Sequence, residues 1–356
     1  MAIDETIFLT GFPGFIAGRL VKRLATEGAR FLLLVQPVFM QRAREEVRRI
    51  AAEVGAPVDR FRLIEGDITK ADLGISPLEL ESARNETTLL FHLAAIYDLA
   101  VERALAVRVN VEGTRNVNQF ALSLPNLRHY HYVSTCYVAG LRTGVIQEGE
   151  LRHEAGFRNY YEETKYLAEL EVDALKSRLP VTIHRPSVVC GDSQTGETAK
   201  YDGIYYLIHY LRKQPALLSL VNIGNPRVSL NLVPVDFVVE AMTALAQDER
   251  AVGATLQLAD PDPLTTHQLF DAIAKALAGR VSRLTFPAKL VRTSLALPLS
   301  PTITGLPHAG VPYFFLNQTY DTTQSHELLA ARGIECPRFP DYVGKLIEFV
   351  DRHPKL

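Results

Sequence analysis

Cysteine is scarce in this chain: Cys136, Cys190 and Cys336 are odd in number and far apart. That pattern excludes a disulfide framework and implies a reducing, cytoplasmic compartment. An excess of either charge is also lacking, since 38 Lys and Arg against 40 Asp and Glu leave a formal net charge of −2. Without a broad basic surface, nucleic acid is not an expected partner. Residues 1–10 lack a basic start followed by an apolar core and a small-residue cleavage site, so no signal peptide is expected. Long apolar runs are missing as well. "FLLLV" is only strand-length, and "SLALPLSPTITGLP" around Leu295 is cut by Pro298 and Pro301, which excludes a transmembrane helix in either. The second stretch reads as a buried loop, with peripheral contact to a membrane surface or an acyl pocket as the alternative.

What is present is apolar residue enough for a sizeable core, 47% of 356. Short β-rich runs, "TIFLT", "RFLLLV", "FRLIEGD", "TLLFHLAA", "HYHYVST" and "VTIHRPSVV", alternate with helical patterns that start at Gly14, Arg42, Ala104 and Tyr160. Such alternation predicts a parallel sheet covered on both faces, a doubly wound α/β (Rossmann) fold. The dinucleotide-binding part is expected over residues 1–190, with a returning segment near 231–262 where "SLNLVPVDFVVEAMTAL" reads as strand and helix and "ATLQLAD" as a strand. After Gly191 the polar "GDSQTGETAKYDG" breaks the rhythm, and residues 191–356, Pro-rich in their last third, are expected to be mainly a smaller substrate-binding cap.

"TGFPGFIAGRL", Thr10 to Leu20, follows the first strand and opens the first helix. A phosphate loop needs a tight turn at its first small position, close backbone approach at its second, and only close helix packing at its third, where Ala17 is accepted. Helix-start N–H groups then offer an anion site. Beyond the second strand, where an NAD site usually carries Asp or Glu, stands Gln36, followed by Arg42 and Arg44. A guanidinium there pairs with a 2′-phosphate, which favours NADP(H) over NAD(H); a solvated helix face is the bland alternative.

"NYYEETKYLAE" sets Tyr161 and Lys165 four apart on one helix face, while Tyr160 has no lysine at that spacing. An ammonium beside a phenol lowers its pKa, which predicts that Tyr161 exchanges a proton near neutrality. "HYHYVST" ends in Ser134 and Thr135 at the sheet edge where ligands bind, and either hydroxyl could hold a carbonyl oxygen. His129 and His131 share a strand face without a third ligand nearby, so they read as packed histidines and no metal is expected. Cys136 reads as a small buried residue, and the carboxylates of "DPDPL" near Asp260 as turn formers.

With these motifs in this order the chain resembles the extended short-chain dehydrogenase/reductase superfamily. "TGFPGFIAGRL" corresponds to its TGxxGxxG loop, which implies pyrophosphate contacts from Gly11, Phe12, Gly14, Phe15 and Ile16. "GDIT" looks like its adenine-side acidic turn at Asp67 and Ile68, and "FHLAA" like its cofactor-side strand with Leu93, Ala94 and Ala95. "VNVEGTRNV" looks like its central-helix motif with Asn110, and "RPSVVCGD" like the segment whose Pro186 and Val188 lie near the nicotinamide. Within the superfamily, "YVSTCYVAG", "NYYEETKYLAE", "RPSVVCGDSQTGE" and "LVPVDFVVEAM" are most similar to the thioester-reductase and fatty-acyl-reductase (male-sterility-type) branch. That resemblance implies Thr135 rather than Ser134 as the catalytic hydroxyl. It also gives Lys165 a second role, on the nicotinamide ribose.

The expectation is therefore an NADPH-dependent reductase of a carbonyl or acyl-thioester substrate, with Thr135, Tyr161 and Lys165 catalytic. No carrier or adenylation domain is recognised in the chain, so an acyl group would arrive on coenzyme A or a separate carrier protein. Gln36 departs from the branch, which often has Arg directly after the second strand. Alternatives within the superfamily are a nucleotide-sugar epimerase or dehydratase and a hydroxysteroid-type alcohol dehydrogenase; outside catalysis the alternative is a dinucleotide sensor, which has no use for the three residues together.

Overall fold

The apolar runs are long enough for strands and too short for core helices, and they form strands throughout. The computed structural model describes residues 5–213, 221–282, 284–287, 290, 293, 308 and 310–355. In chain order the first half runs β1 (Thr6–Thr10), α1 (Phe15–Thr26), β2 (Arg30–Val35), α2 (Met40–Val54), β3 (Phe61–Glu65), α3 (Pro77–Glu86) and β4 (Leu89–His92). Then come α4 (Arg103–Ala106), a π-helical stretch (Val107–Glu112), α5 (Gly113–Leu122), β5 (His129–Val133), β6 (Gly144–Ile146), α6 (Tyr160–Asp173), β7 (Val181–Pro186) and β8 (Val188–Cys190). The remainder is α7 (Ile204–Lys213), β9 (Val221–Asn222), β10 (Leu232–Pro234), α8 (Val235–Leu245), β11 (Thr255–Leu258), α9 (Thr266–Ala278), β12 (Leu284–Thr285), β13 (Gln318–Tyr320), α10 (Thr323–Ala330) and α11 (Phe339–Arg352).

Seven strands form one parallel sheet in the order β11-β7-β5-β4-β1-β2-β3. Because a strand's side chains alternate, Leu9 and Leu33 enter the core with α1, α2 and α8, while Phe8, Leu34 and Tyr130 enter the core on the opposite face with α5 and α6. The winding reverses between β1 and β4, and in such sheets the crevice beyond the strand ends at that point receives ligands. This is the doubly wound fold that the strand–helix alternation implies.

The described part of the last third holds regular helices, α9, α10 and α11, despite its prolines. Pro340 occupies the first turn of α11, where the missing N–H costs nothing. Behind it Phe339, Tyr342, Val343, Leu346, Ile347 and Val350 recur at helical spacing and are buried. They pack with Ile204 and Ile208 of α7 and Phe270 and Ile273 of α9 in a separate core beside β8 and β10. A reciprocal Thr265–Gln268 capping box starts α9. A second return also escaped the sequence pattern: β13 pairs with β6, and Leu328 and Leu329 of α10 join the core under α8 and β11. "SLALPLSPTITGLP" lies outside the described residues. Among those described, no helix is long and apolar enough to cross a membrane.

Candidate active site

Thr10 ends β1, and the chain enters α1 through two glycines that cannot be replaced freely. Gly11 has φ +95°, and a Cβ there would stand 2.9 Å from the backbone nitrogen of Ala94. A Cβ on Gly14 would stand 2.6 Å from the Gly11 carbonyl oxygen, to which the Gly14 N–H donates at 2.8 Å. Ala17, one turn on, is buried against the sheet, so the third position needs smallness and not glycine. The first-turn N–H groups of α1 have no carbonyl before them in the helix and stand at the crevice.

Two adjoining cavities, each of about 390 Å³, occupy that crevice and share Gly11, Gly14, Ala94 and Ala95. Phe12, Gln36, Phe39, Arg42, Asp67 and Ile68 line the half over β2 and β3. Phe15, Ile16, Leu93, Thr135, Tyr161, Lys165, Pro186 and Val188 line the half over β4, β5 and β7. Asn110 is the exception among the residues expected at the cofactor, being absent from both walls. Its amide, within the π-helical stretch, instead accepts from Ile96 N at 2.8 Å and donates to Thr164 Oγ1 at 3.0 Å, tying the loop after β4 to α6.

In the half over β2, burial pushes the Asp67 carboxyl up, but bonds from the Thr69 N–H and hydroxyl, each 2.9 Å, and the nearby Gln36 amide hold it lower than an ordinary aspartate. Gln36 thus fills the place of an acid by serving the next acid along. Arg42 is exposed at this wall and makes no hydrogen bond or ion pair with a described residue.

In the other half the two strand-end hydroxyls separate clearly. Ser134 Oγ donates to Glu169 Oε2, away from the cavity chemistry. Thr135 Oγ1 caps the following turn, accepting from Tyr137 N at 3.2 Å, and lies close enough to the Tyr161 phenol to draw its pKa down. Asn159 caps α6 by accepting from Glu162 N at 3.0 Å, which fixes the first turn that carries Tyr161.

Lys165 departs from the sequence-based reading. Its ammonium donates to Tyr132 Oη and Val133 O, both at 2.8 Å, rather than to Tyr161. Burial brings the ammonium down to about 7, with the Glu169 charge opposing. Burial also holds the Tyr161 phenol above the ordinary range, against the pull of the nearby Thr135 hydroxyl. The expected lowering of the phenol is therefore reversed, because desolvation outweighs a cation engaged elsewhere.

Four cavity residues carried no sequence signal. Tyr97 meets Tyr161 edge-on with ring centres 5.1 Å apart, and Tyr137 stacks near Tyr313 at 4.5 Å. Lys200 and Asp202, paired at 3.6 Å, border the same cavity. Only their position in loops beyond the strand ends could have flagged them. His129, His131 and His184 lie inside the sheet, with His131 Nδ1 3.0 Å from His184 Nε2 and His129 Nε2 2.7 Å from Thr182 Oγ1. Cys136 is buried with its thiol pushed up by burial, and Asp260 accepts from Asp262 N at 2.9 Å, closing its turn.

The male sterility protein family matches residues 9–242. The chain belongs to that family. As a member of this extended short-chain dehydrogenase/reductase branch it is of the NAD(P)-dependent oxidoreductase type. It is 27% identical over 285 residues to the fatty acyl-CoA reductase wat of Drosophila melanogaster, covering 69% of this chain and 54% of that one. It is 26% identical over 287 residues to the glycine betaine reductase ATRR of Emericella nidulans, covering 75% of this chain and 22% of that one. The chain thus spans about a fifth to a half of the length of these relatives. In fold it is similar to the terminal R domain from the myxalamid PKS-NRPS biosynthetic pathway, with a TM-score of 0.80, 24% identity, and coverage of 99% of this chain and 92% of that one. A nicotinamide dinucleotide fits this family member's crevice, because the Gly11–Gly14 turn leaves backbone, not side chain, where α1 begins.

Proposed function

We propose that this chain is an NADPH-dependent reductase of a carbonyl or acyl-thioester substrate. The observation that carries the reading is the placing of Thr135, Tyr161 and Lys165 together on the wall of the cavity that begins at Gly11 and Gly14. Arg42, without an acidic partner at the opposite end, favours a 2′-phosphate and hence NADP(H). Gly11, Phe12, Gly14, Phe15 and Ile16 would hold the pyrophosphate, Asp67 and Ile68 the adenine side, and Leu93 to Ala95, Lys165, Pro186 and Val188 the nicotinamide side. The division into a dinucleotide-binding part over 1–190 and a cap mainly over 191–356 belongs to the same reading, as does a cytoplasmic setting with its three free thiols.

Reduced nicotinamide bound there would supply hydride to the substrate carbonyl carbon. Thr135 would hold the carbonyl oxygen by its hydroxyl, and Tyr161, kept protonated by burial, would pass its proton to that oxygen as the charge develops. With a thioester this yields a hemithioacetal, which expels the thiol and leaves an aldehyde; a second round gives the alcohol. Lys165 would hold the ribose through an ammonium already oriented by Tyr132 and Val133. Tyr97, Tyr137, Val188 and Val189 give the substrate side an apolar wall suited to an acyl group on coenzyme A or a carrier protein. The test is NADPH oxidation against acyl thioesters of graded length, with product identification. Turnover to aldehyde or alcohol supports the reading; inertness toward all thioesters, aldehydes and ketones would remove it.

A further inference from the structure

Beneath the cavity lies a charged network with no access to solvent. The side chains of Glu169 and Arg185 are 0% and 1% exposed. Arg185 donates to Glu169 Oε1 from Nε at 2.8 Å and from Nη2 at 2.5 Å, and its Nη1 reaches the carbonyls of Glu148 and Glu150 at 3.0 and 3.1 Å. The second carboxylate oxygen of Glu169 accepts from Ser134. Each partner adjoins a residue of the active site. Ser134 precedes Thr135 at the end of β5, Arg185 precedes Pro186 at the end of β7, and Glu169 follows Lys165 by one turn of α6. One carboxylate therefore joins the three elements that carry the hydroxyl, the phenol with its lysine, and the nicotinamide-side wall. Apolar packing of equal volume usually stabilises a fold as well as a buried ion pair of this kind does, so stability alone does not account for it.

We propose that Glu169 is a positioning residue for the reductase reaction, acting through Ser134 on the placement of Thr135 and through its charge on Lys165. The proposal rests on the reductase reading for its kinetic half only. Around Lys165 the facing ionisable groups are Tyr132 on β5, His92 on β4, Tyr161 and Glu169 on α6, and, beyond Glu169, Arg185 on β7. His92 is kept neutral by burial and by the Lys165 charge itself, so Glu169 is the acid that favours the ammonium.

Two measurements test this. In protein labelled at the lysine ε-carbon, with Lys165→Met identifying the signal, the Lys165 titration is followed by NMR without substrate. Glu169→Gln is expected to move that titration down by about one pH unit or more, and Glu169→Asp to leave it near the wild-type position. Ser134→Ala keeps the ion pair and so the fold; it is expected to lower kcat by about threefold or more, with KM for NADPH unchanged and the Lys165 titration unmoved. A folded Glu169→Gln protein titrating like wild type, or Ser134→Ala at wild-type kcat, would overturn the proposal. If Glu169→Gln does not fold, the Ser134→Ala result decides. Absence of thioester reduction by the wild type would count against the reductase reading alone, since the NMR arm needs no turnover.

Discussion

Tyr161→Phe removes one hydroxyl and little else, which makes it the sharpest probe of the proposed chemistry. The ring still packs edge-on against Tyr97, so the cavity keeps its shape. Thr135 keeps the bond it accepts from Tyr137 N at 3.2 Å, so no buried group is stranded. The folding cost is then at most that of a single neutral hydrogen bond, about 1 kcal/mol, or a shift in Tm of about 1–2 °C for a chain of 356 residues. Catalysis should suffer far more, because the Tyr161 phenol is the proton donor that the proposed chemistry sets beside the Thr135 hydroxyl. Loss of a positioned general acid lowers the rate by about 10²–10⁴-fold, or about 3–5 kcal/mol in the barrier. NADPH affinity, read by its fluorescence on titration, should change by less than about twofold, since the phenol does not touch the glycine turn. Single-turnover NADPH oxidation with an acyl thioester gives the rate. A variant with wild-type turnover, or one with the rate loss fully matched by weaker NADPH binding, would refute the assignment of Tyr161 as the acid.

Arg42→Ala should raise KM for NADPH by about tenfold while leaving that for NADH within about twofold, because only the 2′-phosphate gives the guanidinium a charged partner; equal changes for both cofactors would return Arg42 to the solvated face of α2. Acid should destabilise the fold through His92, which bonds to Thr10 Oγ1 at 2.7 Å and Thr114 Oγ1 at 3.0 Å and is brought by burial to about 3 from an ordinary 6.5. Folded protein keeps this ring neutral while the unfolded chain protonates it, so its full stability is present above pH ~6.5 and is lost as pH falls toward ~3. Between pH ~6.5 and ~5 the loss is about 2 kcal/mol, and denaturant melts of wild type and His92→Gln at both pH values should differ by that amount; parallel pH dependences would refute it.

How far sequence could see is itself explained by physical range. The doubly wound sheet was legible because each buried parallel strand needs a local apolar run, such as "RFLLLV" of β2, and each crossover needs a local helical period. The phosphate turn was legible for the same reason: its demands fall on Gly11 and Gly14 within a few residues. Choosing Thr135 over Ser134 needed family resemblance, since neighbouring hydroxyls differ only in what lies across the fold. In three dimensions the two hydroxyls part, because Ser134 donates to Glu169 while Thr135 stands with Tyr161 on the cavity wall. The charge state of that pair was misjudged for a related reason. Spacing four apart puts Lys165 and Tyr161 on one helix face, but it says nothing of Tyr132 and Val133, which hold the ammonium, nor of the burial that raises the phenol. The raised phenol changes the chemistry favoured. A phenol lowered toward neutrality would take a proton as readily as give one, whereas one held up by burial enters the reaction protonated. In that state Tyr161 has a proton to give, which is what the proposed protonation of a carbonyl oxygen asks of it.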